Sequence, residues 1–213
     1  MAARHEQLVE DLAGRLAPVR PLLRPGLRAA AWLGAALALG AVLATRFATV
    51  GLEGQAPADF SLAMSGALLT AIGAAYAAFV TSVPGRSIAW ALLPLPPAIL
   101  WLGASGLGCL RAWVSPVPDL HGEHEAVGCL GFLVCVSIPL SLLIVAMLRR
   151  ACPLRPNLTA ALAGLAVAAA AAALLAPFHP HDTALTDLLT HAVVVAGVIG
   201  VNVLAGGRVL TRG

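Results

Sequence analysis

The sequence predicts an all-α, polytopic membrane protein: a six-helix transmembrane bundle preceded by a short cytoplasmic amphipathic segment. Three observations carry that reading. Of 213 residues, 60% are hydrophobic and 11% charged, with a mean hydropathy of +0.91, whereas a soluble domain carries about 25% charge. The apolar residues gather into six stretches of about the length that crosses a hydrocarbon core, roughly 20 residues of helix. No alternation of period two runs through them, and backbone groups in lipid must be satisfied within their own segment, so the spans are helices.

The first unit, residues 1–26, is too charged for a secretory leader, since Glu6, Glu10 and Asp11 stand where an apolar core would be. Leu8, Leu12 and Leu16 recur at one-turn intervals with Glu6, Glu10, Asp11 and Arg15 on other faces, so His5 to Ala17 reads as one amphipathic helix ended by Pro18. A helix this short is marginal alone in water and is expected to order against a partner or a membrane surface. Arg15, Arg20, Arg24 and Arg28, with Pro21 and Pro25 among them, make a stiff basic connector into the first span, suited to anionic headgroups.

The second unit, residues 27–213, holds the spans, placed at about Leu27 to Ala48, Phe60 to Val80, Ser87 to Leu107, Ala126 to Leu148, Leu158 to Ala176 and Leu185 to Val209. Orientation follows from arginine alone, because the chain has no lysine. An even number of spans puts both termini on one side. That side receives Arg4, Arg15, Arg20, Arg24, Arg28, Arg86, Arg149, Arg150, Arg155, Arg208 and Arg212, against Arg46 and Arg111 opposite. The positive-inside rule therefore expects cytoplasmic termini.

This orientation puts the loop from Cys109 to Cys129 outside. The loop concentrates polar chemistry that is scarce elsewhere: His121, His124, Asp119, Glu123 and Glu125 lie between the two cysteines. Three readings stand. An exported face is oxidising, and the ends of consecutive packed helices can bring two sulfurs into bonding reach; a disulfide closing this loop would contribute about 3 kcal/mol by chain entropy. Alternatively His121, His124 and His179, with His181 and Asp182, join the thiols as ligands to a metal ion that serves as a signal, although the spacing matches no zinc motif. The third reading is unpaired thiols. Cys135 and Cys152 read as packing residues.

Within the spans, Ala160, Gly164, Ala168, Ala172 and Ala176 form a small-residue stripe at one-turn spacing, which admits close helix approach and makes the fifth span central. Pro94, Pro96 and Pro97 are expected to break the third span and Pro139 the fourth. Asp187 and His191 lie one turn apart in the sixth span, with Asn202 deeper. No catalytic constellation or phosphate cradle appears, so no enzyme and no bound cofactor are expected. One broken helix and an apolar midplane argue against transport, the alternative along with a purely structural membrane protein.

The motifs together resemble a known family. Asp11-Leu12-Ala13 with Pro18-Val19-Arg20-Pro21-Leu22, the turn Val83-Pro84-Gly85-Arg86-Ser87, and Leu92-Leu93-Pro94-Leu95-Pro96 leading to Gly108-Cys109-Leu110 are similar to the NrsF-type negative regulators of sigma factors. So are Cys129, Ser137-Ile138-Pro139-Leu140, Pro153-Leu154-Arg155, Phe178-His179-Pro180 with Asp182, and the closing Gly207-Arg208 beside Leu210. The resemblance spans nearly the whole chain. It implies a bacterial inner-membrane anti-sigma factor whose cytoplasmic N-terminal segment holds an extracytoplasmic-function sigma factor away from RNA polymerase, with no direct contact to nucleic acid. Residue by residue, it assigns Cys109 and Cys129 to the family's paired outer cysteines, the sensor, and Asp11 to Leu22 to the sigma-contacting region. With the leucine stripe, the expected contact set is Leu8, Asp11, Leu12, Leu16, Pro18, Val19 and Arg20. The chain departs from the family pattern where Ala126, Val127 and Gly128 replace a histidine or aromatic residue before the second cysteine.

Overall fold

The computed structural model describes residues 2–15, 21–47, 58–114, 123–176 and 185–211. Every regular element among them is helical. α1 is Ala2–Gly14, α2 Pro25–Phe47, α3 Ala58–Thr81, α4 Leu95–Val114, α5 Glu123–Arg149, α6 Pro156–Leu175, α7 Leu185–Val201 and α8 Gly207–Thr211. A π-helical turn, Asn202–Gly206, joins α7 to α8, and a 3-10 turn, Ile88–Leu92, precedes α4. Six of these segments are long and apolar enough to cross a membrane. They run alternately up and down, so α2, α4 and α6 start, and α3, α5 and α8 finish, at one end of the bundle. That end carries Arg24, Arg28, Arg86, Arg149, Arg150, Arg155 and Arg208 and is called the basic end below.

The contact between α3 and α6 at the centre of the bundle is built from small residues, and Trp32, Phe79, Ile144 and Leu148 are buried around it. Ala74, Ala75, Ala77 and Ala78 of α3 and Ala160, Ala163, Ala166 and Ala169 of α6 are fully buried, while Ile99, Leu102, Leu142 and Val193 face outward. At that contact the pattern differs from a water-soluble core, where burying large side chains is the driving force. Lipid is as apolar as leucine, so nothing is gained by hiding a large side chain, and association rests on close backbone approach instead. α3 and α6 are accordingly central: 67% of the span in α6 and 56% of that in α3 are buried, against 11% of the third span. The expectation of a central fifth span holds, and Gly164 shows why. A Cβ built there would lie 2.8 Å from Ile199 Cα and 3.1 Å from Asn202 Cβ, so α6 meets α7 where only glycine fits.

Two expectations need correction and one is refined. The prolines do interrupt the third span, and they do so between a 3-10 turn and the start of a helix. Pro96 and Pro97 occupy the first turn of α4, where a missing N–H costs no hydrogen bond, and buried Pro94 closes the preceding 3-10 turn. Gly73 of α3 admits this corner, since a Cβ there would lie 3.4 Å from Pro94 Cα. Pro139, by contrast, lies inside α5 as expected. Cys135 and Cys152 are not packed: both are exposed. Cys135 falls on the outer face of α5, and Cys152 sits at φ 44° in the turn that stops α5, its Sγ 3.8 Å from the Arg149 carbonyl. The N-terminal helix begins at Ala2 rather than His5.

Candidate functional sites

α1 stands apart as a two-faced rod. His5 through Arg15 are all exposed, including the apolar Leu8 (55%), Val9 (64%) and Leu12 (57%). Leu8 and Leu12 lie one turn apart and form one stripe. Along the edge of that stripe Asp11 accepts from Arg15, 2.9 Å away across one turn, an exposed pair worth a few tenths of a kcal/mol at most. The structure thus leaves uncovered an apolar strip that the bundle does not use. Leu16, Pro18, Val19 and Arg20 lie outside the described residues. Pro21 to Arg24 are exposed and lead directly into α2.

At the opposite end, Cys109 is half-buried one turn before the end of α4 and carries a free thiol. Nearby, Arg111 donates to Asp59 at 2.6 Å and so joins the end of α4 to the start of α3. Cys129 and His124 belong to the first turns of α5, so the sequence-predicted sensor cysteines stand on consecutive helices near the same end of the bundle. The side chains of Cys129 and His124, together with His121 and His179, lie outside the described residues. Asp187 and His191 fall in α7, likewise with side chains outside them.

Sequence reasoning missed the polar contacts that cross the bundle. Arg28, read as part of a headgroup-facing connector, is 5% exposed. Its guanidinium lies over the Phe79 ring, 4.8 Å from the centroid, and its Nη2 donates to the carbonyl of Met147 in the last turn of α5. One turn on, Trp32 is fully buried and its Nε1 donates to the Leu140 carbonyl at 3.1 Å. The signal was an arginine four residues before a tryptophan at the mouth of an apolar span. At about the same depth, Asn202 at the π turn donates through Nδ2 to Ser141 Oγ at 3.0 Å and to the Val198 carbonyl at 2.8 Å. It thereby ties the sixth span to α5 and satisfies an amide that lipid would otherwise strand.

Six up-and-down apolar helices with an alanine-rich interior and an apolar exterior define a polytopic helical membrane protein. Over residues 12–211 the chain matches the family NrsF, described as negative regulator of sigma F. It belongs to that family, whose role is to restrain a sigma factor. No curated protein and no solved structure matches the chain.

Proposed function

We propose that the protein is an anti-sigma factor of the bacterial inner membrane, with both termini cytoplasmic. It holds an extracytoplasmic-function sigma factor through the segment from Leu8 to Arg20 and releases it when the outer cysteine pair changes state. The observation that carries this reading is α1 itself. An amphipathic helix of 13 residues with its leucines uncovered has the form of a ligand for an apolar groove, recognised at one-turn intervals. The match to a family of sigma-factor regulators supplies the class of partner. The arginines at one end favour that end as cytoplasmic, which puts α1 where a sigma factor is and Cys109 on the oxidising side.

On the outer face the step is disulfide formation. The thiols of Cys109 and Cys129 lose two protons and two electrons to a two-electron oxidant such as a peroxide, and one S–S bond forms. Binding of a soft metal ion by the same thiols is the second way to change their state.

The docking face is tested by Leu12→Asp with Leu16→Asp. The double variant should insert at the wild-type level, fail to co-purify with the sigma factor, and switch on its promoter without a stimulus. An inserted double variant that retains the sigma factor and keeps the promoter silent refutes the proposed face.

A further inference from the structure

We infer that Arg28 and Trp32 form a latch through which movement of α5 reaches the sigma-holding segment, a regulatory device that rests on the function proposed above. The latch is made of two side chains of α2, one turn apart, that both donate to main-chain carbonyls of α5: Trp32 to Leu140 and Arg28 to Met147.

The placement of those carbonyls relative to Pro139 gives the contact its meaning. Pro139 lacks an N–H and interrupts the hydrogen-bond ladder of α5, which makes it the place where the helix bends most readily. Leu140 is the next residue, so its carbonyl scarcely moves when the helix pivots there. Met147 is two turns further on, about 10 Å down the axis, and a bend of roughly 10° carries its carbonyl about 2 Å sideways. That displacement is enough to break a hydrogen bond. Trp32 therefore pins the pivot, and Arg28 feels the swing.

Arg28 is suited to give way. The C-terminal carbonyls of α5 and the Phe79 ring favour the cation where it lies. Its other terminal nitrogen, Nη1, is buried with no hydrogen-bond partner among the described residues, and a buried donor of a charged group left unmade is costly. Once Met147 moves off, the guanidinium loses its accepting carbonyl and does better at the headgroup level, one turn away, where a long side chain can snorkel. The first turn of α2 must rearrange to let it out. Pro21 to Arg24 lead directly into that turn and follow the sigma-holding segment in the sequence, so that segment shifts with it. Cys129 stands at the other end of the same α5, which makes the helix a lever from the outer thiols to the basic end.

The variants Arg28→Met and Trp32→Phe remove the donors while keeping side-chain bulk, and neither touches α1. Full-length protein with Cys135→Ser and Cys152→Ser is reconstituted in nanodiscs of phosphatidylethanolamine and phosphatidylglycerol and loaded with its sigma factor. Copper phenanthroline then oxidises Cys109 and Cys129, and mass spectrometry confirms the bond. With the latch intact, oxidation should raise the free sigma factor about tenfold, within the usual range of allosteric coupling. Both latch variants should hold the sigma factor as tightly as wild type when reduced and release no more when oxidised. Wild-type release from both oxidised variants overturns the latch alone. Leakage from both reduced variants also overturns it, because it shows the two side chains to be merely structural. A wild-type protein that binds no sigma factor, or keeps it in both thiol states, overturns the proposed function and the latch together.

Discussion

Alanine at Gly164 and alanine at Gly34 should move stability in opposite directions, although the chemical change is the same. Both glycines lie inside helices, Gly164 in α6 and Gly34 in α2. In each case alanine removes the conformational penalty of glycine, worth up to about 1 kcal/mol in a helix interior. At Gly34 nothing lies within 4 Å of the new methyl, which enters open space. At Gly164 the methyl would come to 2.8 Å from Ile199 Cα and 3.4 Å from the Val198 carbonyl oxygen. These are backbone atoms, so relief requires the whole of α7 to retreat by about 1 Å to reach ordinary carbon contact distance. Such overpacking costs about 1 to 3 kcal/mol. The propensity gain cancels between the two variants, so their stabilities should differ by about 1 to 3 kcal/mol with Gly164→Ala the weaker. Reversible unfolding by sodium dodecyl sulfate in mixed micelles, followed by tryptophan fluorescence, measures the difference. Equal midpoints for the two alanines would refute the claim that α6 and α7 touch backbone to backbone at this point.

Membrane-impermeant thiol labelling of intact, reduced cells should tag Cys109 or Cys129 and leave Cys152 unmodified until the cells are opened; labelling of Cys152 alone would reverse the orientation and remove the sensor from the outer face. Asn202→Ala deletes the amide that bridges Ser141 and the Val198 carbonyl, and interhelical hydrogen bonds in membranes are worth about 0.6 kcal/mol with a ceiling near 1.7. The same unfolding assay should therefore show a loss of about 1 kcal/mol. The wild-type protein in proteoliposomes should move no solute, and uptake that depends on Asn202 would favour a transporter instead.

The architecture was legible because its cause is one-dimensional. A run of apolar residues long enough to cross the bilayer has one solution in lipid, and six helices of that length and composition are present among the described residues. The Ala160, Gly164, Ala168 stripe likewise announced a close contact, because spacing on a helix is read directly from sequence. What remained hidden depends on which residues of different helices meet. Arg28 looks like an ordinary headgroup anchor until Met147 and Phe79, both far away in sequence, close around it. The π turn at Asn202 is equally invisible, since it answers to Ser141 on another helix. The third span was legible as interrupted but not in its detail. Prolines at 94, 96 and 97 signal a discontinuity, but spacing alone does not say whether it falls within a helix or at its first turn, and the apolar 3-10 turn before it extends the hydrophobic run across the break.

The energies involved are small enough for such a contact to matter. α1 is a helix of 13 residues with no buried side chain among those described, and a helix of that length is marginal in water. Binding a sigma factor would have to order it as well as bury its leucines, and ordering consumes part of the gross interaction energy, about 2 to 5 kcal/mol in coupled folding. What remains as affinity is thereby reduced, and a tenfold loss of it needs only about 1.4 kcal/mol. A hydrogen bond from a charged donor to a carbonyl contributes about 1.5 to 3 kcal/mol. A guanidinium that stays buried after Met147 has moved off is therefore disfavoured by an amount comparable to what separates a held sigma factor from a free one, whereas a methionine at the same place feels no such difference. On this reasoning the proposed control of release belongs at the polar contacts between α2 and α5, and the alanine-rich pair α3 and α6 is the fixed frame against which α5 bends.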